Sequence, residues 1–364
     1  MFPFGAQLNR SVGHHAVDSK YSHPHGTRLS GRPQPRKDIW QLSTMSKQTQ
    51  LTEPTDFGEE QYPHALVNVT NVCNLDCRHC FVFRADNPQS PRDKMNDATM
   101  LHQLEILRDK HGIRSMLFMG GEPMIRKNMV IKAIKLFPES AIVTNGTYGI
   151  PSIPGHLVTV SLDGPPDLND LVRGKGVFAK VKEAVFARDA NDGTTVMLQM
   201  AVTRENAPGL EKFMAEVSEW PISGVAFSFY VPVMNDETGL DWKDLKERDK
   251  VLDRVIALKK KYPRIIKSHI PTLQMMKSDQ AIKYTGEHGE NCIIRRDTLP
   301  LYMGDGGQFE KPFCCYGNDV DCTRCGAYAV FNRAYLTSQG RGNAARYGRD
   351  GAANIDTIVE KAAE

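Results

Sequence analysis

Six short apolar runs constrain this chain more than any other feature. They occupy 64–70, 115–119, 141–144, 157–162, 195–202 and 225–231, and most are continuously apolar rather than alternating. A run of that kind reads as a strand covered on both faces, the condition of a parallel sheet. Helical periodicity fills the gaps. Asn96 or Asp97 caps a helix to about His111, with Met100, Leu101, Leu104 and Leu107 on one side. Pro138 closes a helix over 129–137, and Val181, Val185 and Phe186 face inward from a helix over 177–190. Further helices cover 210–219 and 245–262. Strand and helix in alternation imply an α/β fold with parallel strands and helices outside. Six units are too few for the closed eight-unit barrel, and sites in such folds lie at the C-terminal strand ends.

Those ends carry the chemistry. After the first run comes Cys73-Asn74-Leu75-Asp76-Cys77-Arg78-His79-Cys80. Thiolates are the preferred ligands of iron–sulfur clusters, and a cubane takes four. Three thiolates leave one iron open, as catalytic metal sites leave a coordination position open. A zinc knuckle or unrelated core thiols are the plain alternatives. Zinc usually closes its shell with a fourth Cys or His, and His79 sits too tightly between two cysteines to join them on one metal. After the second run, Gly120-Gly121-Glu122-Pro123 admits close backbone approach because glycine has no side chain. By itself it reads equally as a strand-to-helix turn. Thr144-Asn145-Gly146 and Ser161-Leu162-Asp163-Gly164 place hydroxyl, amide and carboxylate groups at the ends of the next two runs.

In that order and at those places, the motifs resemble the radical S-adenosylmethionine (SAM) superfamily, over about residues 63–232. The resemblance implies an open partial (β/α)6 TIM-like barrel. It implies a [4Fe–4S] cluster on Cys73, Cys77 and Cys80, with S-adenosyl-L-methionine on the open iron through its amino and carboxylate groups. It also implies an electron donor such as flavodoxin or ferredoxin. The cluster then cleaves SAM to methionine and a 5′-deoxyadenosyl radical that modifies an unactivated carbon; the cofactor does the hard chemistry and the protein positions it. By the same resemblance, Gly120, Gly121, Glu122 and Pro123 serve the SAM ammonium, and Thr144, Asn145, Ser161 and Asp163 the ribose and methionyl carboxylate. Arg173, with Phe178 downstream, offers a guanidinium fork to the carboxylate; a surface ion pair is its ordinary alternative. Family members usually carry an aromatic residue before the third cysteine. Here His79 stands there, either a flat ring near the adenosine or a plain loop residue.

A second cysteine group follows: Cys292, Cys314, Cys315, Cys322 and Cys325. Cys322 and Cys325 form a C-x-x-C pair that, with Cys292 and one of the adjacent Cys314 and Cys315, makes a complete four-thiolate shell. Relatives carry such extensions as SPASM or twitch domains, although the spacing here departs from the usual SPASM pattern. The expectation is a second iron–sulfur cluster, with zinc as the rival, since four cysteines are also a structural zinc shell. Adjacent cysteines do not readily ligate one metal, so one of the two is left over or faces substrate.

Composition sets the remaining bounds. Net charge is +3 over 364 residues, and residues 1–44 alone contribute +4 (six Lys/Arg, two Asp), leaving the rest at −1. That balance argues against nucleic acid as a partner. No signal peptide opens the chain and no apolar run reaches the ~18 residues of a membrane helix, so eight cysteines point to metal chemistry in the cytoplasm rather than disulfides. The expected organisation is a disordered extension over 1–50 with a second start at Met45, a core over 51–270, a small cysteine-rich C-terminal extension over 271–337, and a mobile tail over 338–364 ending in a helix over 355–363. A non-enzymatic iron–sulfur or zinc sensor or scaffold is the competing function, and it leaves the glycine, glutamate and Asn-Gly motifs unexplained. The substrate is open among peptide, cofactor precursor and lipid. Met119, Gln199, Phe229 and Tyr230 give the strand ends a mostly apolar mouth unless they belong to the core.

Overall fold

A computed structural model describes residues 51–83 and 87–341. All six apolar runs are strands: β1 (His64–Asn68), β2 (Ser115–Met119), β3 (Glu139–Thr144), β4 (Leu157–Ser161), β5 (Thr195–Val202) and β6 (Gly224–Phe229). Consecutive strands pair in parallel from β1 to β6. The connecting helices are α1 (Asp97–His111), α2 (Lys127–Ile134), α3 (Pro166–Arg173), α4 (Val177–Ala187), α5 (Leu210–Val217) and α6 (Leu245–Lys261). Asn96 caps α1 by accepting from Thr99 N, and Gly112 ends it in the left-handed region. The expected α/β fold with a partial barrel of parallel strands is what the chain forms.

Two more strands join this sheet. After the short helices α7 (Ile270–Met275), α8 (Ile282–Thr285) and α9 (Ile293–Asp297) come β7 (Thr298–Met303) and β8 (Phe309–Glu310), followed by α10 (Tyr328–Ser338). The strand order is β6-β5-β4-β3-β2-β1-β7-β8. β7 runs parallel to β1, with His64 opposite Thr298 and Leu66 opposite Pro300, and β8 turns back antiparallel. The cysteine-rich segment therefore does not stand apart from the core: one of its strands covers the β1 edge, which would otherwise expose unpaired backbone groups. Pro300 in the middle of the run hides this strand from a sequence reading.

α4 corrects one inward-facing residue. Val181 and Val185 are fully buried, whereas Phe186 is 54% exposed and lays its ring edge on Trp220 at 5.8 Å. Positions 181 and 185 define the inward face, and the next residue lies about 100° round the helix. No described helix is long and apolar enough to cross a membrane. The expected extension at 1–50 and the final helix at 355–363 lie outside the described residues.

Candidate functional site

The site begins where β1 and β2 end. Their ladder continues past both strands: Val69 N donates to Met119 O (2.8 Å), Gly121 N to Thr70 O (2.8 Å) and Glu122 N to Val72 O (2.9 Å). A Cβ on Gly121 would stand 2.1 Å from Val72 O, and one on Gly120 (φ +138°) 2.8 Å from Thr70 O. The glycine pair thus lets the chain just before Cys73 lie flat on the end of β2, and close approach to the protein's own backbone requires it. We expect Gly121→Ala to cost about 1–3 kcal/mol by overpacking and to lower iron uptake by the loop, read from denaturant unfolding and iron content. Iron uptake and stability both unchanged would refute this account.

Glu122 is held within the protein. It is wholly buried; its Oε1 accepts from Met124 N (2.9 Å) and Thr144 Oγ1 (2.7 Å), and its Oε2 from Asn145 N (2.8 Å). Burial raises its pKa and these donors oppose the rise. The carboxylate is a strut that ties the end of β2 to the Thr144-Asn145 turn. Pro123 starts the single turn Pro123–Arg126 and is likewise buried. Neither lines the cavity described next.

The strand ends and the cysteine loop enclose a cavity with about 1370 Å³ of empty space, part of it open to solvent. Cys73, Cys77 and Cys80 line it, as do His79, Gly120, Gly121, Thr144, Asn145, Ser161 and Arg173. The three thiols are close enough for their charges to interact. Leu75 N donates to Cys73 Sγ (3.4 Å) and Phe83 N to Cys80 Sγ (3.5 Å). Asn145 Nδ2 is 3.9 Å from Cys73 Sγ and Arg173 Nη1 4.0 Å from Cys77 Sγ. Such donors stabilise cluster thiolates. Burial pushes the Cys77 thiol up to about 12 and raises Cys73 too, so loading a metal must displace protons. The donor set fits a three-thiolate cubane with one iron left for a ligand.

Behind the thiols lies a buried charge cluster. Asp163 Oδ2 is 2.5 Å from Arg173 Nε and 2.9 Å from His79 Nε2. These are charge contacts, without hydrogen-bond alignment at Arg173 Nε or Asp163 Oδ2. Asp163 Oδ1 accepts from Ala201 N (2.8 Å), and Asp163 N donates to Asn169 Oδ1 (2.9 Å). Burial alone would raise the Asp163 pKa; the Arg173 guanidinium and the His79 ring outweigh it and hold the carboxyl well below the usual carboxylate range. Asp163 is fully buried and off the cavity wall. It sits between Arg173 and His79. His79 Nδ1 is buried without a partner, in a ring that lines the cavity.

The second cysteine group divides. Cys292, Cys314, Cys322 and Cys325 interact electrostatically with one another. Burial raises all four, Cys314 to about 12. Cys315 instead lines the main cavity, whereas Cys314 interacts with the other three. Among the described residues, no three His, Cys, Asp or Glu side chains gather closely enough to hold a single ion; a cubane spreads its thiolates over separate irons.

Sequence reasoning missed part of the cavity lining. Phe81 and Tyr316 meet at 4.8 Å between ring centroids, and Val231 and Ile294 also line the cavity. Phe81 follows the third cysteine directly, so proximity in sequence could have flagged it. Ile294 and Tyr316 come from the segment flanking β7, and no local signal places them. Met119, Gln199, Phe229 and Tyr230 do line the cavity.

Comparisons with known proteins agree with this geometry. The family model described as "Radical SAM superfamily" matches residues 67–217. GTP 3′,8-cyclase from Syntrophomonas wolfei is 26% identical over 196 residues, 49% of this chain and 58% of that protein. Fe-coproporphyrin III synthase from Methanosarcina barkeri is 25% identical over 224 residues, 56% of this chain and 54% of that protein. The chain thus spans little more than half of each. The solved structure of native anSMEcpe with bound AdoMet superposes with a TM-score of 0.55 at 17% identity, over 74% of this chain and 80% of that one, and shares its fold. The motif-bearing strands β1 to β5 and the cysteine loop all lie within or at the border of the matched segment, so residues 67–217 match a radical SAM domain.

Proposed function

We propose that the protein is a radical SAM enzyme whose Cys73, Cys77 and Cys80 hold a [4Fe–4S] cluster. The carrying observation is that three mutually interacting thiols line the same cavity as Arg173, Asn145 and His79. When bound, the reduced cluster supplies the electron that splits SAM into methionine and a 5′-deoxyadenosyl radical. The chain's residues do the rest. Arg173, fixed by Asp163, presents a guanidinium for the SAM carboxylate. Asn145, Ser161 and the His79 ring offer hydrogen bonds along the wall, and the apolar strand-end residues exclude water. A one-electron donor of the flavodoxin or ferredoxin kind is the partner. Anaerobically reconstituted protein with dithionite should convert SAM to 5′-deoxyadenosine; reconstituted protein that takes up no iron would remove the reading altogether.

Two finer readings go with it. The wall made by Phe81, Tyr230, Val231, Ile294 and Tyr316 carries no charged side chain, so the substrate group brought to the radical is uncharged and at least partly apolar. A peptide side chain, a cofactor precursor or a lipid meets that condition. Cys292, Cys314, Cys322 and Cys325 hold a second metal centre. About eight irons per chain would make it a second cubane, and about four irons with one zinc would make it a zinc site.

A further inference from the structure

Arg248, on α6, is 1% exposed and does not line the substrate cavity. Burying a guanidinium is costly unless a counter-charge and hydrogen bonds compensate it. Its hydrogen bonds all go to carbonyls: Nη1 donates to Arg324 O (2.9 Å) and Cys325 O (3.4 Å), and Nη2 to Met276 O (3.0 Å). Its Nε has no partner. Of the charges around it, Cys325 acts most strongly, then Asp241 and Asp249. Asp241 is already paired with Arg324 at 2.6 Å, and Asp249 accepts from both Ser278 N and Ser278 Oγ. Asp249 keeps its negative charge nearby, but two of Arg248's hydrogen bonds grip the backbone of the C-x-x-C turn, which ties its guanidinium to Cys325 and its neighbours.

We infer that Arg248 is the buried counter-charge and positioning residue of the second metal centre. The inference rests on the reading that Cys292, Cys314, Cys322 and Cys325 hold a metal. Four thiolates around a metal carry excess negative charge, and a dry guanidinium at one corner offsets it without donating to a sulfur. Hydrogen bonds to the Arg324 and Cys325 carbonyls fix the turn so that Cys322 and Cys325 face Cys314. Arg295 supplies a second cation: it acts on Cys292, Cys314 and Cys322 and stacks on Phe313 at 3.8 Å. Arg248 differs in being fully enclosed, so water cannot replace it.

The test compares wild type, Arg248→Gln and Arg248→Lys in the full chain, reconstituted with iron and sulfide or with zinc. Metal per chain, metal release to a chelator, the reduction potentials of the centres and the circular dichroism spectrum are measured. Wild type should hold metal beyond the four irons of the first centre. Arg248→Gln should release that extra metal about tenfold faster or more, the usual scale for residues supporting metal ligands, while keeping the first four irons. If the extra metal is a cluster, its potential should fall, because a neighbouring positive charge has been removed. Arg248→Lys keeps the charge and should recover most of the loss. Folded Arg248→Gln with wild-type retention and potential overturns the inference; so does equal loss in both variants with a collapsed helix signal, which marks a purely structural residue. Wild type with four irons and no zinc instead overturns the second centre itself, and the two failures are distinguishable.

Discussion

Alanine at Cys73, Cys77 or Cys80 should leave the loop unable to hold its cluster, and SAM cleavage should fall by about 10⁶-fold or more, the lower end of enzymic acceleration. Each thiolate serves one iron of a cubane, and no nearby group can substitute. His79, the nearest alternative donor, has its Nε2 held by Asp163 at 2.9 Å, and Asn145 and Arg173 are donors toward the sulfurs rather than ligands. Two controls sharpen the expectation. His79→Ala should retain about four irons at this loop, because the ring lines the cavity without belonging to the thiolate set. Cys315→Ala should retain both iron and SAM cleavage, because it lies outside the three-cysteine loop and outside the group formed by Cys292, Cys314, Cys322 and Cys325. Iron per chain and 5′-deoxyadenosine formed over hours provide the readout. A loop cysteine variant with wild-type iron and cleavage would sink the assignment, as would a Cys315 variant that loses both.

How much of this was legible depends on how local each signal was. The parallel strands β1 to β6 were legible because each is a short, continuously apolar run bounded by turn residues. The cysteine loop was legible because all its ligands lie within eight consecutive residues. Glu122 and Asp163 were recognisable as site residues, but their contacts within the protein were not. A carboxylate at a strand end reads the same whether it faces a ligand or braces a neighbouring strand; only the positions of Asn145 N and Arg173 Nε decide. β7 was illegible because Pro300 interrupts its signal and its partner, β1, lies more than 200 residues earlier. Strands buried on both faces also lose the period-two pattern that would tell lumen from exterior. Arg248 reads in sequence as one more charge on an amphipathic helix, and only its enclosure beside Cys325 marks it out.

Asp163→Asn should destabilise the protein by about 3–5 kcal/mol, the cost of leaving a buried charge without its partner. The substitution is nearly isosteric, so little packing is lost and the effect is electrostatic: Arg173, 9% exposed, loses its counter-charge, and His79 Nε2 loses a carboxylate neighbour at 2.9 Å. The pH dependence follows from the sign of the shift. The folded carboxyl titrates well below its unfolded value of about 3.9, so the unfolded chain binds the extra proton first as pH falls. The contribution is therefore complete above about pH 5 and is lost progressively below pH 4. Wild type should exceed Asp163→Asn by a constant margin at pH 5–8, and the margin should close in acid; a margin independent of pH down to 2 would contradict the charge cluster. Stability and SAM binding can then be separated. Replacing both members of a buried pair by uncharged groups is often nearly neutral, so Asp163→Asn with Arg173→Met should regain much of the lost stability. It should not regain SAM binding, because the guanidinium that faces the cavity is gone. Recovery of both by the double variant would mean that Arg173 serves the fold alone, and that the SAM carboxylate is held by another group on the wall.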